Sequence, residues 1–170
     1  MKSTDLLLDA FGRILDEVAE TVSGLGDEQL TFRVDPGANT IAWLVWHLTR
    51  VQDNHIAEAA QEQEVWTADG WVDRFGLSLD PADTGYGHRA EDVAAVRAPA
   101  DLLVGYYGAV AERTRRYVAG LGDADLDRVV DERWDPPVTL GVRLVSVIGD
   151  DMAHLGQAQY VKGLLERSGR

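Results

Sequence analysis

The stretch Gly149-Asp150-Asp151-Met152-Ala153-His154-Leu155-Gly156-Gln157 lies in a segment, Thr139 to Glu166, that the sequence predicts to be one long helix. Apolar residues recur along this segment mostly at intervals of three or four, which is the period of a helix with one buried face. A helix of this kind needs other helices to cover its apolar face. The predicted stripe consists of Leu140, Leu144, Val147, Ile148, Met152, Leu155, Ala158, Val161 and Leu165.

Asp150 and His154 are four residues apart in this helix, so their side chains emerge one above the other. Both lie beside the apolar stripe and therefore face the expected core. A carboxylate and an imidazole in that position must be paired, hydrogen-bonded or bound to a metal, because an isolated buried charge is very costly. Without a metal they could form an ordinary ion pair.

The chain has 170 residues and no cysteine. This length predicts one domain over residues 1–170. The lack of cysteine excludes a disulfide framework, a thiolate zinc site and a cysteine nucleophile. Any thiol chemistry would therefore use a thiol supplied by a substrate or cofactor.

The net charge of −13 argues against nucleic-acid binding, which requires clustered Lys and Arg. The first residues run into an amphipathic helix and lack the long apolar core of a signal peptide. No apolar run approaches membrane-spanning length. We therefore expect a cytoplasmic protein without a membrane or nucleic-acid partner.

Three further segments have helical periodicity: residues 4–23, a segment from about Thr40 to Gln63, and one from Pro99 to about Leu121. Asn39 or Thr40 can cap the second of them. Residues 64–98 form a long connection in which residues 91–96 could be a helical turn, because long loops in compact domains often carry short helices. Residues 128–131 could form a short extended piece. The aromatic residues expected in the core, where one or two could line a substrate pocket, are Trp43, Trp46, Trp71, Tyr106 and Trp134.

Four long helices with a long connection between the second and third predict an all-α fold, a four-helix bundle with a crossover. The crossover permits the second and third helices to run parallel. Bundles of this type build metal sites from side chains on facing helices.

The candidate metal ligands are His47 on the second helix and Asp150 and His154 on the fourth. Two imidazoles and one carboxylate leave open positions on a divalent ion, as in catalytic sites. Asp151 is an alternative to Asp150, because it is three residues from His154. His55 lies about 12 Å from His47 along the helix, too far for both to bind one ion readily.

These residues carry a resemblance to the DinB-like superfamily of metal-binding four-helix bundles. The resemblance rests on Trp46-His47-Leu48 and on Asp150, His154, Gly156 and Gln157 in their spacing on the fourth helix. It extends to the loop at residues 84–87 and to the end of the last helix. It implies that His47, Asp150 and His154 are the metal ligands. At the position of Asp150, the isomerase-like members of the superfamily also have a carboxylate, whose side chain is longer.

The resemblance also implies an activity, because the superfamily includes thiol-dependent transferases and a mycothiol-dependent isomerase. We expect an enzyme in which a divalent metal, zinc first and nickel or iron as alternatives, activates a mycothiol-type thiol towards a small electrophile. The alternatives are a hydrolase that uses a metal-bound water and a non-catalytic metal- or ligand-binding bundle of the stress response. His88, in a glycine-rich loop, is a candidate proton shuttle. A homodimer contact at Tyr160, Val161, Leu164 and Leu165 is a further expectation.

Overall fold

The computed structural model describes residues 1–169 and has four long helices where the sequence predicts them. The predicted all-α bundle is therefore confirmed. Thr40 is the cap of the second long helix, since its hydroxyl accepts a hydrogen bond from the backbone N–H of Trp43. In chain order the elements are α1 (Ser3–Val22), α2 (Asp27–Leu30), α3 (Ile41–Ala60), α4 (Val65–Ala68), α5 (Trp71–Phe75), α6 (Ala90–Ala95), α7 (Ala100–Ala119), a 3₁₀ turn (Asp123–Asp127), β1 (Val129–Asp131), β2 (Val138–Thr139) and α8 (Leu140–Ser168).

The four long helices form a ring in which α3 packs against α7 and α8, and α1 packs against the same two helices from the other side. Helix α3 runs antiparallel to α8, because His47 meets His154 while His55 meets Arg143. Helices α3 and α7 run parallel, as shown by contacts of Gln52 with Tyr107 and of Ala59 with Tyr117. The long crossover between the second and third long helices is what permits this parallel arrangement.

The crossover between α3 and α7 contains the short helices α4, α5 and α6, and α6 confirms the turn expected at residues 91–96. Its aromatic side chains pack against Tyr106 of α7, with ring centroids 5.1 to 5.8 Å apart. Trp66 also meets Trp46 of α3, with ring centroids 6.4 Å apart, and α3 is buried almost all round between Ile41 and Asp53. The rings that pack on Tyr106 are Trp66, Trp71 and Phe75.

Two charged residues of α3 anchor the crossover. The Asp53 carboxylate accepts hydrogen bonds from the backbone N–H groups of Val65 and Trp66, at 2.9 and 2.8 Å, and from the Tyr106 hydroxyl at 2.8 Å. Arg50 donates to Glu64 at 2.5 Å and to the carbonyl of Asp83 at 3.1 Å. Arg50 and Asp53 both belong to α3. Their hydrogen bonds therefore hold the crossover, including the loop after residue 82, beside that helix.

Strands β1 and β2 form a small antiparallel hairpin that leads into α8, and β1 confirms the extended piece expected near residue 129. The turn of this hairpin carries Trp134, whose residue surface is 65% exposed. The expectation that Trp134 lies in the core is therefore wrong. It lies in the exposed turn of the hairpin, whereas the other four aromatic residues expected in the core are buried.

The buried face of α8 follows most of the predicted stripe, although Ile148 is only partly buried and Met152 departs from it. Met152 is exposed, and Asp151 is fully buried in its place. The reason is geometric, because Val147, Asp151 and Leu155 are each four residues apart and share one face, whereas Met152 is turned away from it.

The segment considered for a dimer contact is divided between the interior and the surface. Val161 and Leu165 are buried within the bundle, and Tyr160 is exposed. Only part of the expected contact is therefore accessible, and the homodimer stays a prediction.

Among residues 1–169, no helix is at once long enough and apolar enough to cross a membrane.

Candidate metal centre

The antiparallel packing of α3 on α8 brings His47, Asp150 and His154 together. One ring nitrogen of each histidine and one carboxylate oxygen of Asp150 lie within 4.8 Å of one another. The centroids of the two imidazole rings are 4.7 Å apart, and Nε2 of His154 is 3.6 Å from Oδ1 of Asp150. His47 is buried, while the side chains of His154 and Asp150 are 19% and 37% exposed, so the cluster is accessible from one side.

The backbone of the crossover fixes the orientation of His47. Its Nδ1 lies 2.5 Å from the carbonyl oxygen of Thr84, which can only accept a hydrogen bond, so Nδ1 carries the proton. Nε2 is therefore the nitrogen with a free lone pair. A backbone carbonyl on the second nitrogen is the usual way in which a metal-binding histidine is oriented. Burial lowers the pKa of His47, which favours the neutral form that binds metals.

The hydrogen bond from His47 to Thr84 depends on a glycine at the next position. Gly85 has φ +92°, and a Cβ atom there would lie 2.6 Å from Nδ1 of His47 and 3.1 Å from the rings of Trp43 and Trp46. A side chain at residue 85 would therefore displace the loop from His47. The sequence marks this loop only as glycine-rich, and the close approach is visible only in the structure.

Trp43 supports the cluster by packing on the face of the His47 ring. Its indole stacks on His47, with centroids 4.5 Å apart and planes at 15°, and it meets His154 edge-on at 6.2 Å. Its Nε1 donates to Nδ1 of His88 at 2.9 Å, and Nε2 of His88 contacts Asp83 at 2.9 Å. The hydrogen bonds that join Asp83, His88 and Trp43 thus hold the indole against the ring of His47.

His88 lies in the layer behind Trp43, with both ring nitrogens engaged in hydrogen bonds. Because Nδ1 accepts from the indole, Nε2 is the protonated nitrogen and donates to the Asp83 carboxylate. Asp83 also accepts from the backbone N–H of Gly85 at 2.9 Å. These contacts favour a positioning role for His88, and its role as a proton shuttle stays a prediction.

Asp150 and His154 stabilise opposite charges on each other. Burial alone would raise the pKa of Asp150, but its interactions with His154, His47 and His55 outweigh burial and lower that pKa. The Asp150 carboxylate raises the pKa of His154, although burial opposes this shift. Asp150 is therefore held as a carboxylate, and a metal ion would compete with a proton for His154.

The three residues suit a divalent ion for two reasons. They supply suitable donor atoms, and two of their buried atoms have no hydrogen-bond partner among the described residues. Within residues 1–169, Oδ2 of Asp150 and Nδ1 of His154 are buried side-chain atoms without a hydrogen-bond partner. Buried polar atoms are rarely left unpaired, so each such atom needs an explanation. Two imidazoles and one carboxylate form a set that zinc uses in catalytic sites. A metal ion in this cluster would engage both orphaned residues.

Asp151, the alternative ligand, lies outside the cluster. It is fully buried, and neither of its carboxylate oxygens has a hydrogen-bond partner among the described residues. Burial, together with the negative charge of Asp150, raises the pKa of Asp151 well above its usual value. The geometry therefore assigns the carboxylate of the cluster to Asp150 and makes Asp151 a buried acid of the core.

His55 also lies outside the cluster. Its Nδ1 is 2.6 Å from the guanidinium of Arg143, which in turn donates to Asp131 at 2.9 Å. The sequence did not indicate Arg143 or Asp131, because they follow no recognisable motif and meet His55 only through the packing of α8 on α3.

A family model described as mycothiol S-transferase matches residues 6–166 and so includes all three residues of the cluster. A crystal structure of a conserved protein from Enterococcus faecalis superposes with a TM-score of 0.89 and 31% sequence identity, over 95% of this chain and 96% of that one. No curated protein matches the chain. The family match confirms the DinB-like resemblance, and the chain belongs to the mycothiol S-transferase family.

Proposed function

We propose that the protein is an enzyme in which His47, Asp150 and His154 hold a divalent ion that activates the thiol of mycothiol for transfer to a small electrophile. The observation that carries this proposal is the convergence of the three donors within 4.8 Å. The family match supports the thiol, because the family is described as mycothiol S-transferase. Zinc is the expected ion, and nickel or iron are alternatives, since imidazole suits all three.

A divalent ion bound there would act as a Lewis acid that lowers the pKa of a thiol and keeps the sulfur as thiolate at neutral pH. The thiol must come from a cosubstrate, because the chain has no cysteine of its own. His47 presents a neutral imidazole, fixed by the Thr84 carbonyl. Asp150 supplies the negative charge that balances the ion. Trp43 covers the histidine rings and keeps water from that side.

At the electrophilic carbon, the transfer forms one bond and breaks one. The thiol of mycothiol gives its proton to water, the sulfur forms a bond to the carbon, and the leaving group departs with the electron pair. The accessible side of the cluster, where Asp150 is half-exposed, is the side from which both molecules approach. Thiol-assisted isomerisation differs, because no leaving group departs. The sulfur adds to one carbon of a double bond, the resulting single bond rotates, and the sulfur leaves as the double bond re-forms.

Thiol transfer is tested with a fluorogenic electrophile and mycothiol, with the metal content of each sample measured beside the rate. We expect about one divalent ion per chain, and His154→Ala should lose the ion and at least about 10²-fold in rate. His55→Ala should retain the ion, because His55 lies outside the cluster. A His47→Ala, His154→Ala double variant with full metal content would refute the proposal.

The other two functions predict different outcomes in the same assay. A metal-dependent hydrolase cleaves esters or amides at an equal rate with and without thiol. A non-catalytic binding protein holds the metal but accelerates neither reaction. Thiol transfer predicts a rate that depends on both the metal and mycothiol.

A further inference from the structure

A cavity of about 260 Å³ lies between α3, α8 and the hairpin, and it begins at the metal centre. Asp150 lines one end of it, and Arg143 lies seven residues earlier on the same helix. Seven residues correspond to about 10.5 Å along a helix. The cavity is lined by Val51, His55, Trp134, Val138, Val142, Arg143, Ser146, Val147 and Asp150.

The walls of the cavity are apolar except at its two ends and at Ser146, whose hydroxyl donates to the backbone carbonyl of Val142. Valine side chains line both helices and the hairpin, and the indole of Trp134 lies at the exposed side. An apolar cavity with a few placed polar groups is the usual form of a small-molecule site. The volume suits an aromatic ring or a short aliphatic chain.

Arg143 supplies the positive charge at the far end. It is only 8% exposed, and its guanidinium donates to Asp131 at 2.9 Å and lies 2.6 Å from Nδ1 of His55. A guanidinium has five N–H donors, so donors remain after these contacts. Burial and the charge of Arg143 lower the pKa of His55, so the imidazole beside Arg143 does not add a second charge.

The charge of Arg143 is only partly neutralised by Asp131. Arg133 also binds that carboxylate, through Nε and a terminal nitrogen, each at 2.8 Å. Two arginines share one aspartate, which leaves the trio with a net positive charge. Glu58 approaches Arg133 at 3.8 Å and Nδ1 of His55 at 3.9 Å, but its side chain is 48% exposed and does not line the cavity. The cavity thus offers an apolar wall and an arginine with unused donors.

We propose that this cavity binds the electrophile and that Arg143 binds a carboxylate of it, so that the substrates are small apolar or aromatic acids. The assignment of the acid as substrate rests on the proposed thiol transfer. The carboxylate at Arg143 places the reacting carbon about two helical turns away, beside Asp150. Arginine suits this role because its planar fork matches a carboxylate.

The test is calorimetric titration of benzoate and of benzamide into the full-length protein with its metal and without thiol. Benzoate should bind the wild type at least about 10-fold more tightly than it binds Arg143→Met, and benzamide should show no such difference. Arg143→Lys keeps the charge and should retain part of the affinity. Arg133→Met is the matched control, because it also removes an ion pair with Asp131 but does not line the cavity. Because Arg133 shares the Asp131 carboxylate with Arg143, Arg133→Met should weaken benzoate binding, but clearly less than Arg143→Met does.

Several outcomes would overturn the assignment. They are the absence of benzoate binding to the wild type, equal binding by Arg143→Met, and an equal loss in Arg133→Met. Affinity that is lost in His154→Ala but retained in Arg143→Met would show that the metal holds the carboxylate. If Arg143→Met fails to fold, two other quantities test the proposal. They are the affinity of Arg143→Lys for benzoate and the preference of the wild type for benzoate over benzamide. Because no thiol is present, a failure of thiol transfer leaves this result unaffected.

Discussion

Asp150 and Asp151 are neighbours in the sequence with opposite surroundings in the structure. Asp150 is half-exposed beside two imidazoles, which lower its pKa. Asp151 is fully buried, and burial raises its pKa well above the usual range. One position on a helix thus separates a carboxylate that suits a metal from a carboxylic acid that suits a core.

Exchange of each carboxylate for an amide separates these roles. Asp150→Asn should weaken metal binding by on the order of 10²-fold, because an amide lacks the charge that balances the ion. Asp151→Asn should leave the affinity within about threefold, since its side chain does not reach the cluster. Zinc titration against a competing chelator measures both. Equal losses in the two variants would contradict the assignment of Asp150.

Gly85 offers a second test at a single residue. Gly85→Ala should destabilise the protein by about 1–3 kcal/mol and weaken metal binding about 10- to 100-fold, because the new Cβ would displace the loop from His47. Gly87→Ala is the control, since Gly87 also has a positive φ, +77°, but has open space around it. It should lose stability without losing the metal. Denaturant unfolding and chelator competition give the two quantities.

At the scale of the elements, the crossover is held to α3 by buried charges rather than by apolar packing alone. Asp53 binds the first turn of α4 through two backbone N–H groups, and Arg50 binds Glu64 and the backbone at Asp83. The same loop carries Thr84, whose carbonyl orients His47. The anchor of the crossover is therefore coupled to the metal centre through the backbone.

Removal of this anchor should affect both stability and the site. Asp53→Ala leaves the buried positive charge of Arg50 with Glu64 as an acidic partner but without Asp53. We therefore expect a loss of about 3–5 kcal/mol in the free energy of unfolding. Asp9→Ala breaks an exposed ion pair with Arg13 and should change that free energy little. Denaturant unfolding at neutral pH compares the two variants. A small loss for Asp53→Ala would show that the aromatic packing alone holds the crossover.

For the whole molecule, Asp131 connects the hairpin to α8 and gives stability a defined dependence on pH. Hydrogen bonds from Arg133, with a further one from Arg143, hold its pKa well below the usual value. A lowered pKa in the folded state contributes stability above the unfolded value of about 3.9, and this contribution is lost as the pH falls through the folded value.

Acid unfolding of Asp131→Asn tests this linkage. The variant should be less stable than the wild type at about pH 6, and the difference should shrink as the pH falls to about 2, because the Asp131 carboxyl of the unfolded wild type then takes up a proton that the folded protein does not. Thermal unfolding by circular dichroism at a series of pH values measures the difference. A difference that stays constant over this range would mean that the Asp131 charge does not contribute.

The sequence by itself determined the four long helices, because the recurrence of apolar residues every three to four positions is a local property. It can be recognised in each helix separately. It also indicated the crossover, through the length and glycine content of residues 64–98. His47, Asp150 and His154 could be proposed as partners because two of them are one helical turn apart and the third lies on the only other long helix that carries histidines.

Only the tertiary structure decided which residues surround that cluster. The Thr84 carbonyl is a backbone atom and leaves no mark in the sequence, and the path from Asp83 through His88 to Trp43 joins residues far apart in the chain. The choice of Asp150 over Asp151 and the meeting of Arg143 with His55 depend on the rotation of α8 against α3. That rotation is set by how all four helices pack together, so it cannot be predicted from the periodicity of any one segment.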